Sequence, residues 1–332
     1  MNDYVLIKAP LTINWALNNS CNFRCRHCYS RNDPAGELPL DELCRSLEKV
    51  ARLGVLAVNF GGGEPLLRED LCSIASHAAS CGLRVSMNSN GSLIDGVCAP
   101  LLKRAGFYKV GISVDSHLPA PHDTLRGVPG SHQRACEALG HLQNAGIRTY
   151  ISSVICRINH LQIDELIEFA QARKVDQLNF HNFKCVGLGQ ANRDELDLTP
   201  AEWRDFYRRA LAAKDRCPGL DISLDDPVIA SLGVPSGNLV KGSVCGKLSL
   251  NIKANGDITP CGFIQTVIGN ITRDDLGELW RNSELLHAMR HKKPTGKCGG
   301  CDHYDECLGG CSARALAVSG DLNAPDPHCW VR

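Results

Sequence analysis

The chain has 332 residues, 43% of them hydrophobic, and its 36 basic and 36 acidic side chains cancel. That length allows one large α/β domain with a smaller appendage, and the apolar content supports an ordinary packed core, so disorder is not the default. Zero formal net charge excludes a global field drawing the protein to nucleic acid or an anionic membrane, so partners must be read from sites.

The first residues, Met1 to Tyr4, carry an acid where an export signal carries positive charge. No apolar run approaches the roughly 18 residues that span a bilayer, so a cytoplasmic protein with no membrane segment is expected. The 18 cysteines sit at short spacings in a chain too large for a small secreted scaffold. In a reducing compartment that pattern means metal binding.

Short β-branched or apolar runs alternate with longer stretches of helical period through the first two-thirds, the pattern of repeated βα units on a parallel sheet. Six strands are expected: Leu11 to Leu17, Val55 to Phe60, Leu83 to Asn88, Tyr108 to Val114, Arg148 to Ile155 and Val175 to His181. Leu40, Leu43, Leu47 and Val50 mark one helical stripe, and Leu161, Leu166, Phe169 and Ala170 another. Six units in place of eight imply a partial (β/α)6 TIM barrel with its site at the C-terminal strand ends. Thr199 and Pro200 read as the cap and first turn of a last helix. These features divide the chain into a barrel core over 1–216, a connecting segment over 217–244 and a small cysteine-rich domain over 245–332.

Directly after the first strand stand Cys21, Cys25 and Cys28, spaced C-x3-C-x2-C. Three thiolates fill three corners of a 4Fe-4S cubane and leave one iron open to an exogenous ligand; open metal sites imply chemistry. A partial zinc site or ordinary buried thiols is the alternative. The spacing resembles the defining motif of the radical SAM superfamily, with His27 where that family usually has an aromatic residue. The resemblance implies that the open iron binds the amino and carboxylate groups of S-adenosylmethionine.

Later strand ends extend the resemblance. Gly61-Gly62-Gly63-Glu64-Pro65 follows the second strand, where glycines allow close backbone approach and a carboxylate can accept from an ammonium. Gly62, Gly63 and Glu64 match the family's Gly-Gly-Glu-Pro element, which grips the amino group of the methionine moiety. Ser89 and Asn90 resemble the Thr-Asn-Gly segment beside the cofactor. Ser113 and Asp115 resemble the family's Ser-Leu-Asp-Gly, which implies that Ser113 bonds the ribose or the methionine carboxylate; Ser116 replaces the glycine. His122 to Gly127 resembles His-Asp-x-x-Arg-Gly, whose arginine, here Arg126, pairs with the cofactor carboxylate, a planar anion suited to a guanidinium. Each alone could be a cap or a surface ion pair. Gly187 and Gly189 bring backbone near the adenine or form a plain loop.

Cys245, Cys261, Cys298, Cys301, Cys307, Cys311 and Cys329 stand in the order of a SPASM domain, the module of subtilosin, pyrroloquinoline quinone, anaerobic sulfatase and mycofactocin maturation. The resemblance implies two auxiliary 4Fe-4S clusters, one on Cys298, Cys301, Cys307 and Cys329, the other on Cys245, Cys261 and Cys311. The fourth ligand of the latter is an acid or amide, water, substrate or an unassigned cysteine. With the first triplet this makes three 4Fe-4S clusters. A zinc ribbon on Cys298, Cys301, Cys307 and Cys311 is the alternative, and clusters here could serve structure alone.

Eight cysteines remain: Cys44, Cys72, Cys81, Cys98, Cys136, Cys156, Cys185 and Cys217. Packing is the default for them. Cys185, just past the sixth strand, is a candidate catalytic hydrogen-atom donor. The basic run Arg290 to Lys293 reads as a solvated face.

The resemblance implies an oxidoreductase that cleaves S-adenosylmethionine to a 5′-deoxyadenosyl radical, abstracts a substrate hydrogen and passes an electron to an auxiliary cluster. Most relatives by resemblance crosslink, decarboxylate or epimerise residues of a ribosomal peptide precursor. Cys21 comes too early for a leader-recognition domain to precede it, so a separate recognition protein is expected, with flavodoxin or ferredoxin as reductant. The stretch Gly309 to Asp321, with Asp326 to Cys329, resembles the haem-biosynthesis decarboxylases as well as the mycofactocin branch, so tetrapyrrole side-chain decarboxylation is the second reading. Small-molecule tailoring such as sugar epimerisation is third, and a non-catalytic iron-sulfur electron carrier is the reading from another class.

Overall fold

The computed structural model describes residues 7–30, 36–234 and 240–331. Met1 to Tyr4 and part of the 217–244 segment lie outside the described residues. The barrel alternates β1 (Thr12–Asn18), α1 (Leu40–Arg52), β2 (Ala57–Gly62), α2 (Leu71–Ser80), β3 (Arg84–Ser89), α3 (Cys98–Arg104), β4 (Phe107–Ser113), α4 (Pro119–Arg126), α5 (Ser131–Asn144), β5 (Arg148–Ile155), α6 (Ile163–Ala172) and β6 (Gln177–Asn182). Two single turns, α7 (Leu188–Ala191) and α8 (Arg193–Leu196), lead to α9 (Pro200–Arg216) and β7 (Asp221–Leu224). The C-terminal part holds β8 (Ser249–Ile252), β9 (Asp257–Thr259), β10 (Gly269–Asn270), α10 (Leu276–Asn282), α11 (Glu284–Arg290), α12 (Tyr304–Cys307) and α13 (Ser312–Ser319).

One sheet runs in the order β10-β9-β8-β1-β2-β3-β4-β5-β6-β7, parallel from β8 to β7 and antiparallel in its last two strands. It is thus wider than six strands. β7 comes from within the segment read as a connection, and β8 from the cysteine-rich region pairs with β1, Thr12 opposite Ser249. Both have four residues, too few for alternation to stand out from a loop.

The helical stripes bury as patterned: Leu43, Leu47 and Val50 on α1, and Ile163, Leu166, Ile167 and Ala170 on α6. Leu161, expected in the second stripe, precedes α6 and is 67% exposed. At α9 the Thr199 hydroxyl accepts from the Glu202 N–H while the Glu202 carboxylate accepts from the Thr199 N–H at 2.7 Å, a reciprocal capping box. The basic run is not a solvated face throughout. Arg290 is buried, donating to the carbonyls of Gly246 and Trp280 with its guanidinium 4.3 Å from the Trp280 ring. No described helix is long and apolar enough to cross a membrane.

Candidate active site

A cavity of about 660 Å³ opens at the C-terminal ends of the parallel strands, and all eight contribute to it. Cys21, Cys25 and Cys28 follow β1, Gly62 to Glu64 end β2, Ser89 and Asn90 end β3, Ser113 ends β4, Val154 lies in β5, Asn182 ends β6 with Lys184 just past it, Asp225 follows β7 and Lys253 follows β8. Cys245 and Cys261 line this same cavity.

The cysteine loop is locked to the glycine turn by backbone alone. Gly63 N–H donates to Asn18 O at 3.0 Å and Glu64 N–H to Ser20 O at 2.8 Å. A Cβ on Gly63 would stand 2.0 Å from Ser20 O, and one on Gly62, whose φ is +125°, would stand 2.4 Å from Asn18 O. Their close approach is therefore to the chain that carries Cys21. Gly187, with φ +61°, packs likewise on the Cys28 and Tyr29 backbone, and Leu188 N–H donates to Cys28 O at 2.8 Å. Neither Gly187 nor Gly189 lines the cavity.

Glu64 is 1% exposed. Its carboxylate accepts from Ser89 Oγ at 2.9 Å and from the N–H groups of Asn90 at 2.8 Å and Leu66 at 3.2 Å. Burial raises its pKa, and these three hydrogen bonds hold the rise back.

Arg126 lines the cavity with its fork engaged by Asp115, Nε to Oδ2 at 2.6 Å and Nη2 to Oδ1 at 3.0 Å. Its remaining Nη1 reaches Cys25 Sγ at 4.0 Å. Asp115, expected as a cofactor contact, is 1% exposed, does not line the cavity, and also accepts from Val154 N–H at 2.9 Å. It acts on the cavity through Arg126 and Val154, both of which line it. Burial pushes the Cys25 thiol up to about 11, with the Arg126 charge opposing. Ser116, at the family's glycine position, needs no left-handed backbone; its hydroxyl donates to Gln162 Oε1 at 2.6 Å.

Cys185 is not brought to the cavity wall. It is buried outside the cavity, and its thiol donates to Asp197 Oδ2 at 3.2 Å. Burial pushes its pKa up to about 12, which keeps the thiol protonated.

Cys245, Cys261 and Cys311 meet in one small cluster with Ile264, Phe263 and Met289. The Cys261 thiol donates to Cys245, which lowers the pKa of Cys245, and the Lys184 ammonium adds to the same shift. Cys298, Cys301, Cys307 and Cys329 surround a separate small pocket with Tyr304. Among the described residues no group of three or more His, Cys, Asp or Glu side chains is placed to hold a single metal ion.

Two observations test whether the cavity suits an iron-sulfur cluster and its cofactor. Trp15 Nε1, Asn18 Oδ1 and His27 Nδ1 are buried atoms of lining residues without a protein partner. Cys21 Sγ accepts from Phe23 N–H at 3.4 Å and Cys261 Sγ from Phe263 N–H at 3.3 Å, the N–H to sulfur bonds that tune cluster thiolates. The residues fit.

A buried polar chain that the sequence reading missed joins the cysteine-rich region to the cavity. Arg314, 2% exposed, donates to Asp326 at 2.8 and 2.5 Å and to Asp226 Oδ1 at 2.8 Å. Asp326 accepts from Cys311 N–H at 2.6 Å. Asp226 Oδ2 accepts from Tyr207 OH and from Asn182 Nδ2, both at 2.6 Å. The Asn182 carbonyl oxygen in turn accepts from Lys184 Nζ. Arg314 and Asp326 lie in segments whose resemblance was noted, but Asp226 and Tyr207 carry no sequence signal.

An open parallel barrel with a cysteine triplet, a glycine-rich turn and a buried glutamate at its mouth defines a class of enzyme. The chain belongs to the radical SAM superfamily: the family model matches residues 15–170, and the model of the SPASM iron-sulfur cluster-binding domain matches residues 245–302. It is a radical SAM enzyme that uses S-adenosylmethionine and iron-sulfur clusters. Among curated proteins it is 32% identical to the mycofactocin maturase MftC of Mycolicibacterium smegmatis over 97% of this chain and 83% of that protein. It is 28% identical to the AdoMet-dependent heme synthase of Methanosarcina barkeri over 98% of both chains. Its fold matches the crystal structure of Streptococcus suis SuiB bound to precursor peptide SuiA, with TM-score 0.81, 19% identity, and 98% of this chain and 77% of that one covered.

Proposed function

We propose that this enzyme oxidises a peptide side chain inside the cavity, with Cys21, Cys25 and Cys28 holding the cluster that cleaves S-adenosylmethionine and Cys245, Cys261 and Cys311 holding the cluster that takes up the electron. One observation carries this reading: Cys245 and Cys261 line the same cavity as the first triplet. A bound 4Fe-4S cluster with an open iron supplies the electron that breaks the carbon-sulfur bond of S-adenosylmethionine. The protein's share is placement. Glu64 offers its carboxylate to the methionine ammonium, Ser113 hydrogen-bonds the cofactor, and Asn18 Oδ1 and His27 Nδ1 supply unpartnered polar atoms to it. Arg126, fixed by Asp115, holds positive charge beside Cys25. Strand-end walls on every side exclude water and competing hydrogen donors.

Asn14, Asn59, Asn88, Asn251 and Gln265 line the remaining wall. Each carboxamide makes a hydrogen bond to the protein and keeps further donor or acceptor capacity, the complement of peptide amides. Cys298, Cys301, Cys307 and Cys329 hold the third cluster, away from the chamber. A recognition partner delivers the peptide, and a flavodoxin- or ferredoxin-type protein supplies electrons.

Tetrapyrrole side-chain decarboxylation is the second reading, favoured by the Tyr29–Phe263 ring pair at 4.4 Å, Phe263 lying in the cavity wall. The test is anaerobic incubation of reconstituted enzyme, reductant and S-adenosylmethionine with short peptides encoded beside its gene, or with iron-coproporphyrin III, followed by mass spectrometry. A peptide that loses two hydrogens or carbon dioxide supports the first reading. Conversion of the porphyrin alone overturns it in favour of the second.

A further inference from the structure

Of the cations in the cavity wall, Arg126 is committed to Asp115. Lys184 is not committed to an acid: its ammonium donates to the neutral Asn182 carboxamide, and among the described residues no carboxylate lies at ion-pair distance from it. It stands 5.1 Å from the ring of Phe263, two residues past Cys261. It is two residues past β6, whereas Gly62 to Glu64 end β2, and β3, β4 and β5 stand between these strands in the sheet. The ammonium therefore faces the half of the cavity away from the elements assigned to the methionine moiety.

Its position is set from behind. Asp226 is a buried carboxylate that can only accept, so the Asn182 group 2.6 Å away must be the NH₂ and the carbonyl oxygen must face Lys184. Arg314 and Tyr207 hold Asp226 in place. This chain of hydrogen bonds fixes the ammonium through a neutral carboxamide, so the Asp226 charge acts on it only from behind Asn182. An aromatic face and an ammonium with no direct salt bridge side by side fit a group with an apolar body and one negative charge. Asp225 on the same wall offsets part of the positive field, which suits a monoanion better than a phosphate dianion.

We propose that Lys184, positioned by Asn182 and Asp226, is the group that binds a carboxylate of the substrate beside Phe263, between the two sets of cysteines. This rests on the reading that the cavity holds the substrate, and it narrows that substrate to one presenting a carboxylate at the reacting end.

The test uses oxidised, reconstituted holoenzyme with S-adenosylmethionine and two probes of one shape, 3-phenylpropanoate and 3-phenylpropanamide, with affinities from saturation-transfer NMR or calorimetry. Wild type should prefer the acid by about ten-fold, the worth of one charge-assisted hydrogen bond. Lys184→Gln should lose the preference and Lys184→Arg should keep it, with iron content and cluster absorbance confirming that both variants assemble. Equal affinity of wild type for acid and amide, or an intact preference in Lys184→Gln, overturns the proposal. Failure of the wider reading shows separately, as wild-type holoenzyme that makes no 5′-deoxyadenosine.

Discussion

Replacing Gly63 by alanine adds one methyl group where the structure has no space for it. The new Cβ would meet Ser20 O at 2.0 Å, Ser20 C at 2.4 Å and Asn19 C at 3.0 Å, all backbone atoms that no rotamer change can move. An ordinary carbon-oxygen contact is about 3.3 Å, so the two chains must part by roughly 1.3 Å. That separation stretches the two hydrogen bonds joining them, Gly63 N–H to Asn18 O and Glu64 N–H to Ser20 O. At about 0.5–1.5 kcal/mol each, their loss costs about 1–3 kcal/mol. The functional cost is larger, because Ser20 immediately precedes Cys21, and a shift of about 1 Å in a reacting assembly lowers rates by about 100-fold. Gly61→Ala is the internal control for assembly, since nothing lies within 4 Å of a Cβ there. The assays are iron per chain and 5′-deoxyadenosine formation in reconstituted protein. Gly63→Ala should lose about four irons or about 99% of its turnover, while Gly61→Ala keeps its iron. Wild-type iron and turnover in Gly63→Ala would refute the claim that the glycine turn holds the cluster loop in place.

Three further outcomes follow from the same geometry. Arg314→Met leaves Asp226 and Asp326 as facing buried acids and should destabilise the protein by about 3–5 kcal/mol, seen as a lower apparent Tm in calorimetry; an unchanged Tm would contradict the buried pairing. Burial raises the pKa of Asp226, but the charge and hydrogen bond of Arg314 together outweigh it and hold the carboxyl well below the usual range. A depressed folded-state pKa gives stability that is complete above the ordinary carboxylate value of about 4 and lost as pH falls below it. Acid-unfolding curves should therefore be shallower below about pH 4 in Asp226→Asn than in wild type, and identical slopes would oppose this. Thr199→Ala removes the acceptor of the α9 capping box and should cost about 1 kcal/mol by thermal unfolding, with iron content unchanged. A larger loss with missing iron would mean that α9 supports a cluster.

The barrel was legible because each of its six long strands announces itself by composition and is followed by a helical stripe, as with Leu43, Leu47 and Val50 on α1. β7 and β8 were not, since four residues carry too little periodicity and their pairing partners are distant in sequence. At the site, Cys21, Cys25, Cys28, Glu64 and Ser113 line one cavity, and strand-end placement is what made them legible as a group. The Asp115 carboxylate in the fork of Arg126 was not legible, because nothing in the two motifs says that they face each other. The direction of Cys185 depends on which way the chain turns after β6, and that turn is set by Gly187 packing on Cys28, a tertiary contact. Lys184 gained meaning only from a chain of hydrogen bonds that joins residues as distant as 182 and 314.

The most direct test of the account is S-adenosylmethionine cleavage by the anaerobically reconstituted full chain with reductant, compared between wild type and Cys25→Ala. Wild type should form 5′-deoxyadenosine and the variant none, with about four fewer irons per chain. Equal formation by both proteins would contradict the assignment of the cleavage cluster to Cys21, Cys25 and Cys28.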